Sequence, residues 1–171
     1  LGQVGPSTSL GARQYRNDAK VPQLFIGSGA PTWLDEIKTF PWSLPLQPSY
    51  VDEGRSVAEH ILTTRPNAKV GLLFQNDDAG RGFMRGVREG LSKRPGIIVK
   101  EQTTELSEPT VDSQVVALHA SGADTLVCVT LPRATSQTIR RATDLQWKPQ
   151  IYLASVSSSI QQALVPAGLE R

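Results

Sequence analysis

Three short apolar runs, each followed by an amphipathic helical pattern, constrain the fold of this chain more than any other feature. The runs cover residues 70–74, 125–129 and 151–154, and a fourth at 96–100 lies between the first two. Near-continuous apolar runs of this length are typical of strands buried on both faces. Strands that alternate with helices form a parallel sheet with helices packed outside it. The sequence therefore predicts an α/β fold that meets ligands at the carboxyl ends of its strands.

Helical patterns fill the intervals between these strands. Pro66 stops the first helix and Pro95 stops the second, because proline cannot continue a helix. Phe83, Met84 and Val87 lie on one face of the second helix, which predicts packing against the sheet. The predicted helices cover residues 50–64, 80–93, 108–122 and 132–145, with an earlier helix ending near residue 18, an earlier strand at 21–26 and a last helix beginning in 157–171.

Residues 31–50 differ in composition from the rest of the chain. Trp33, Phe40 and Trp42 lie among prolines in this segment without any repeating pattern. Aromatic side chains of this kind must pack against something, so the segment is a structured connection rather than a flexible linker. We place a crossover between two parts of the molecule near residues 40–46.

Charge and hydropathy exclude several classes of function. The net charge is +2, from 18 basic and 16 acidic residues, which is too balanced for a nucleic-acid or membrane-surface protein by charge alone. Arg81, Arg85 and Arg88 have acidic neighbours and are interpreted as a solvated helix face. No stretch approaches the roughly 20 apolar residues of a membrane span. The chain begins at Leu1 without a leader pattern, so we expect that a signal peptide has been removed.

The strand ends carry no obvious catalytic set. Glycines at positions 80, 82 and 86 follow a strand, but the third is one residue late for the dinucleotide fingerprint. Asp77 and Asp78 would place negative charge where phosphates bind, so we interpret them as helix-capping residues. A nucleotide-dependent oxidoreductase is therefore the weaker interpretation.

Metal-binding and nucleophilic residues are sparse and scattered. His60 and His119 lie on separate predicted helices, and the single cysteine, Cys128, lies within a strand. None of them forms a cluster with metal-ligand spacing. Ser28 lies between two glycines, but the segment is not the elbow of a serine hydrolase, and no histidine lies at a strand end. We predict a protein that is not an enzyme and that has no cofactor and no metal.

Several motifs, in order along the chain, resemble branched-chain amino acid-type solute-binding proteins of ABC importers. The longest is the run from Lys69 to Phe83, which resembles the opening of the second lobe of these proteins. The others are residues 108–115, 121–127, 21–30, 40–42 and 47–50. The resemblance covers nearly the whole chain and is more specific to the family than to any ligand.

The resemblance implies a type I periplasmic-binding fold, in which two α/β lobes hold a ligand between them. Residues 1–40 would be the end of the first lobe, and residues 41–171 would be an incomplete, Rossmann-like second lobe with a parallel sheet. It also implies a periplasmic protein that delivers a small carboxylate to an ABC permease in the membrane, with no role for nucleic acid. A ligand-sensing domain of a receptor or regulator has the same fold and is the alternative.

The resemblance also implies the ligand-binding positions. In the first lobe, a loop and a turn would contact the carboxylate or amino end of the ligand through hydroxyls and backbone amides. In the second lobe, three strand-end positions would face the cleft, the last of them at Ser155 or Val156. The predicted ligand-binding residues are Ser7, Thr8, Ser28, Gly29, Ala30, Ala79, Leu131 and Ser155.

The second-lobe positions depart from the family pattern for leucine, isoleucine and valine. That pattern has aromatics at the first two positions and an acid at the third, whereas this chain has Ala79, Leu131 and Ser155. A buried ammonium without a partner is costly. These uncharged residues therefore predict a larger, more apolar carboxylate without an ammonium, such as an aromatic acid.

Overall fold

The centre of the molecule is a four-stranded parallel sheet in this computed structural model, which describes residue 2 and residues 4–169. The strands are β3 (Val70–Gln75), β4 (Ile98–Thr104), β5 (Thr125–Val129) and β6 (Gln150–Leu153), in the spatial order β4-β3-β5-β6. Every neighbouring pair is parallel, as the alternating pattern predicts. The α/β fold class is thereby confirmed.

The two central strands explain why the apolar runs are nearly continuous. All five residues of β5 are buried, and so are the first five of β3, because helices cover both faces of the sheet. Leu72 packs into one core and its neighbour Leu73 packs into the other. The edge strand β4 is only partly buried and carries Lys100 and Glu101. Charged side chains on an exposed edge discourage pairing with other chains.

Four helices cover the two faces of this sheet. Helices α4 (Tyr50–Thr64) and α5 (Asp78–Leu91) pack on one face, with Ala58, Phe83 and Val87 in the same apolar core. Helices α6 (Asp112–Ala120) and α7 (Pro132–Asp144) pack on the opposite face. We call this part of the molecule, residues 50–169, the second unit.

Local signals place the ends of these helices. Ser49 caps α4 by accepting a hydrogen bond from the Val51 backbone N–H at 3.2 Å, and the bounds of α4 agree with the sequence prediction. Gly122 follows α6 with a φ of 75°, which suits a glycine at a helix end. Helix α6 begins at Asp112 rather than at residue 108, because Glu108 forms part of the preceding turn.

Residues 4–45, which we call the first unit, form a smaller structure beside the second unit. Short helices α1 (Pro6–Gly11) and α2 (Arg13–Asp18) precede strand β1 (Gln23–Ile26), and α3 (Thr32–Asp35) precedes strand β2 (Ser43–Pro45). The two strands pair in parallel, and the core holds Ile26, Ala30 and Trp33. Strand β1 starts two residues later than predicted, consistent with the weak ladder bonding expected beside Pro22.

The C-terminal segment differs from the helix predicted in residues 157–171. A 3₁₀ turn at Ser155–Ser157 is followed by one π-helical turn at Ile160–Leu164 and further turns. Ser159 caps the π-helical turn by accepting from the Gln162 backbone N–H at 3.2 Å. A helix therefore begins in this segment, as the sequence predicts, but it is a short π-helical turn, and residues 170 and 171 lie outside the described part of the chain. Among residue 2 and residues 4–169, none of the helices has the length and apolar character needed to cross a membrane.

Candidate functional site

A cavity of about 120 Å³ lies at the carboxyl edge of the four-stranded sheet. Loops that follow β1, β3, β5 and β6 meet there, so both units contribute to its walls. This is the place where an open α/β sheet is expected to bind its ligand. The wall residues are Val4, Gly5, Gly27, Tyr50, Gln75, Asp77, Ala79, Gly80, Val129, Thr130, Leu131 and Val156.

Among the described residues, Asp77 is the acidic residue in these walls. Its Oδ1 accepts a hydrogen bond from the Gly80 backbone N–H at 2.8 Å, which makes it the N-cap of α5 as the sequence predicts. Its Oδ2 accepts from Nε2 of Gln75 at 2.6 Å. Both partners are neutral donors, so neither of them neutralises the negative charge that Asp77 brings to the cavity wall.

This carboxylate adds a charge that the sequence prediction did not include. The prediction of an uncharged second-lobe side rests on Ala79, Leu131 and Ser155. The turn between β3 and α5 places the capping side chain of Asp77 in the cavity wall, two residues before Ala79. A helix cap at a strand end can therefore serve as a binding group as well.

Tyr50 is an aromatic residue in the cavity wall, and the sequence predicts it as the start of α4 and as part of the crossover motif at residues 47–50 rather than as a site residue. Its ring is buried, and its hydroxyl donates a hydrogen bond to Oε1 of Gln47 at 3.0 Å. Burial raises the pKa of the Tyr50 hydroxyl above its ordinary value, and the charges of Glu53 and Asp77 raise the pKa further. The phenol therefore stays neutral and presents an apolar ring face with a polar tip.

Two of the predicted second-lobe residues, Ala79 and Leu131, lie in the cavity wall. For the third, the alternative Val156 lies there, whereas Ser155 does not. The backbone N–H and hydroxyl of Ser155 both donate to the carboxylate of Glu53, at 2.7 and 3.0 Å. These bonds connect the loop after β6 to the first turn of α4 and so hold Val156 against the cavity.

The predicted first-lobe turn lies behind the cavity rather than in its wall. Ser28 is fully buried, and its Oγ accepts from the Ala30 backbone N–H at 3.2 Å. A Cβ on Gly29 would lie 2.1 Å from the carbonyl oxygen of Pro48, so only glycine fits there. Ala30 packs with the core of the first unit. This turn holds the two units close together, and its part in ligand binding stays a prediction.

The predicted loop before α1 lies beside the cavity. Val4 and Gly5 form part of the wall, whereas Thr8 is exposed and is not among the wall residues. The side chain of Ser7 lies outside the described part of the chain. Ligand contacts of Ser7 and Thr8 therefore stay predictions.

The glycines that resemble a dinucleotide fingerprint pack closely against backbone atoms of the protein itself. A Cβ on Gly80 would lie 2.0 Å from the carbonyl oxygen of Gln75, and one on Gly86 would lie 1.9 Å from that of Val51. Protein backbone thus fills the space that a pyrophosphate would need beside these glycines. The absence of side chains here serves the close contact of α5 with β3 and α4.

The described residues contain no group of three or more potential ligands that could hold a metal ion. The ring of His60 packs edge-on against Tyr152, and that of His119 lies against Trp147. Cys128 is buried in β5, and burial raises the pKa of its thiol. Buried and protonated, this thiol serves as a small apolar side chain.

Comparison with solved structures shows the same fold at low identity. An extracellular ligand-binding receptor from Rhodopseudomonas palustris HaA2 matches with a TM-score of 0.85 and 17% identity, over 98% of this chain and 46% of its own length. A fatty acid ABC transporter substrate-binding protein from Thermomonospora curvata matches at 0.83 and 16%, over 97% and 42%. A branched-chain amino acid ABC transporter protein from Thermus thermophilus with bound valine matches at 0.79 and 17%, over 96% and 42%.

This chain spans less than half the length of each of these structures. A search of curated protein sequences finds no match. A family model described as "Periplasmic binding protein" matches residues 1–170, which is almost the whole chain. With its parallel sheet, its strand-end cavity and this match, the chain belongs to the periplasmic binding protein family and has the type I fold of that family.

Proposed function

We propose that this chain is part of the extracytoplasmic solute-binding component of an ABC importer, which passes its ligand to a membrane permease without catalysis. One observation carries the proposal: the cavity lies at the carboxyl edge of the sheet and has walls from both units. Val4, Gly5 and Gly27 come from the first unit, and the strand ends of the second unit supply most of the remainder. A site built this way encloses its ligand when the two parts close about a hinge.

The proposed ligand is an α-amino acid with an apolar side chain. Val129, Leu131 and Val156 offer apolar surface, and burial of such surface supplies most of the affinity in sites of this kind. If an apolar body covered the Asp77 carboxylate, its charge would be buried with hydrogen bonds from neutral donors but without an opposite charge, which is costly. An ammonium group on the ligand removes that cost, because it pairs with the carboxylate.

Two of the similar structures support ligands of this class. The Thermus thermophilus structure holds valine, and the Thermomonospora curvata protein is the substrate-binding protein of a fatty acid ABC transporter. Both ligands are carboxylates with an apolar body. The competing ligand is an acid without an ammonium, which the sequence predicts. Asp77 distinguishes the two ligands, because its carboxylate pairs only with the ammonium of the amino acid.

We also propose that residues 46–49 connect the two lobes. The sequence predicts a boundary after residue 40, but β2 (Ser43–Pro45) pairs with β1 in the first unit. The pairing supports a boundary after Pro45. The backbone N–H of Tyr50 donates to the carbonyl oxygen of Gly29 at 2.8 Å, which supports a short, fixed connection at this point.

The ligand class is tested by comparing norleucine with hexanoate, which have the same carbon chain and differ in the ammonium group. Calorimetric titration would use the protein in the full length in which it is encoded. We expect norleucine to bind more tightly, and Asp77→Asn to weaken norleucine by about 10- to 100-fold, the typical value of a hydrogen bond to a charged group. Asparagine caps helices as well as aspartate does, so α5 keeps its N-cap.

Hexanoate serves as the control for this substitution, and its affinity should change little in Asp77→Asn. Tighter binding of hexanoate than of norleucine would contradict the amino acid proposal and restore the acid without an ammonium. If neither compound binds, the proposal that this protein binds a carboxylate with an apolar body is contradicted.

The importer role needs a separate test in cells. Deletion of the gene should abolish uptake of the radiolabelled amino acid identified by titration, and the Asp77→Asn gene should restore uptake poorly. Normal uptake with a lost transcriptional or behavioural response to the amino acid would favour the ligand-sensing alternative.

A further inference from the structure

A second cavity adjoins the candidate site and shares two wall residues with it, Gln75 and Leu131. We call the candidate site the inner compartment and this second cavity, also of about 120 Å³, the outer compartment. Thr104, Leu106, Ala134 and Gln137 are among its other walls. Leu131 lies between the two compartments and is 42% exposed.

The order of the strands makes the two compartments parts of one groove. The inner compartment lies over the ends of β3 and β5 and the loop after β6. The outer compartment lies over the ends of β4, β3 and β5. Since the sheet order is β4-β3-β5-β6, the compartments follow each other along its carboxyl edge.

Several polar side chains of the outer compartment form hydrogen bonds within the protein. The Glu108 carboxylate accepts from the Thr104 hydroxyl at 2.7 Å, the Glu105 backbone N–H at 3.2 Å and Nε2 of Gln114 at 2.9 Å. The side chains of Arg133 and Gln137 both donate to the carbonyl oxygen of Pro109, at 2.7 and 2.9 Å.

Two apolar side chains of the outer compartment are exposed to solvent. Leu106 is 65% exposed, and Leu131 presents a second half-exposed apolar side chain to the same space. The charged wall residues keep their internal hydrogen bonds, so Leu106 and Leu131 provide the apolar surface that is open to a ligand. A hydrocarbon tail fits it better than a second charged group does.

The volumes of the two compartments limit which ligands can fill the groove. A cavity of about 150 Å³ takes up one benzene molecule, so each compartment accommodates about one ring or one short side chain. We propose that the ligand is an elongated amino acid, whose apolar side chain passes Leu131 and continues from the inner into the outer compartment. This inference rests on the proposed function and specifies the substrate class of the same site.

The proposal is tested by titrating the full-length protein with straight-chain α-amino acids of increasing length, from norvaline through norleucine to 2-aminooctanoate and 2-aminodecanoate. Each methylene that becomes buried should raise the affinity about fourfold. We expect this gain to continue beyond norleucine, because the tail then enters the outer compartment.

Leu106→Trp narrows the outer compartment at an exposed position, and Val116→Trp is the control on the exposed face of α6. In Leu106→Trp, norvaline should bind as in the wild type, whereas the gain with length should stop near norleucine. Val116→Trp should keep the wild-type series.

A wild-type series that stops at norleucine, or that is unchanged by Leu106→Trp, would overturn the inference while leaving the proposed function intact. Binding of none of these amino acids would overturn both. The two failures are therefore distinguishable within one set of titrations.

Discussion

The two units of this molecule differ in how completely they bury their own apolar residues. The second unit has a central sheet with a core on each face, and the side chains of Leu72, Leu73 and Leu126 are fully buried. The first unit has a two-stranded sheet whose residues Phe25 and Leu44 are each 50% exposed. Within the described part of this chain, most of the buried apolar surface therefore lies in the second unit, and the first unit adds a wall to the candidate site.

The largest expected effect is a loss of stability when a large side chain in the core of the second unit is shortened. Leu72→Ala should lower the free energy of unfolding by about 2–5 kcal/mol, because it opens a cavity in the centre of the sheet. Leu44→Ala in the first unit is the matched change and should cost less than about 0.5 kcal/mol, because the side chain is half exposed. Urea unfolding of the two variants measures both losses in the free energy of unfolding. Equal losses would contradict the conclusion that the second unit holds most of the buried apolar surface.

Alanine substitutions at two glycines should change the stability of the fold in opposite directions. A Cβ on Gly86 would lie 1.9 Å from the Val51 carbonyl oxygen, so Gly86→Ala should force α4 and α5 apart and cost about 1–3 kcal/mol. A Cβ on Gly11 in α1 would meet no atom within 4 Å. Gly11→Ala should therefore raise stability, by up to about 1 kcal/mol, through lower chain entropy in the unfolded state. Thermal unfolding of both variants tests the contrast, and a stabilising Gly86→Ala would refute the close packing.

The smallest expected effect concerns the turn that holds Glu108 at the rim of the second unit. Hydrogen bonds from the Thr104 hydroxyl and the Glu105 backbone N–H, then from Gln114, lower the pKa of the Glu108 carboxyl below its ordinary 4.5. A lowered pKa stabilises the fold above about pH 4.5, and this contribution is lost as the pH falls through the folded-state pKa. Glu108 is half-buried at the surface, where solvent screens its charge, so the effect should be small.

Glu108→Gln measures this contribution. The wild type should be slightly more stable than Glu108→Gln at pH 7, and the difference should shrink as the pH falls below 4.5. A difference that stays constant down to pH 3 would show that the charge on Glu108 does not stabilise the turn.

The sequence predicts the second unit well because its signals are periodic and local. The runs that became β3 and β5 are buried on both faces, and the predicted limits of α4 agree with the structure. The first unit lacks such periodicity. The pairing of β2 with β1 depends on contacts between segments about 20 residues apart, which single-chain patterns do not reveal.

The candidate site shows the same limit at the level of side chains. Strand ends identify the loops that approach the ligand, and Ala79 and Leu131 were predicted on that basis through the family resemblance. They do not identify which residue of a loop faces the cavity. Ser155 binds Glu53 instead, and the cavity positions of Asp77 and Tyr50 depend on the packing of α4 and α5.

The central claim is that the groove at the sheet edge binds the solute, and Leu131→Trp tests it most directly. Leu131 and Val116 are 42% and 40% exposed, so Val116→Trp is a matched control away from the groove. In calorimetric titration with norleucine, Leu131→Trp should lose at least about tenfold in affinity, equivalent to about 1.4 kcal/mol, at an unchanged melting temperature. Val116→Trp should bind as the wild type does. Wild-type affinity in Leu131→Trp would contradict the account, because a ligand in this groove must contact the side chain at position 131.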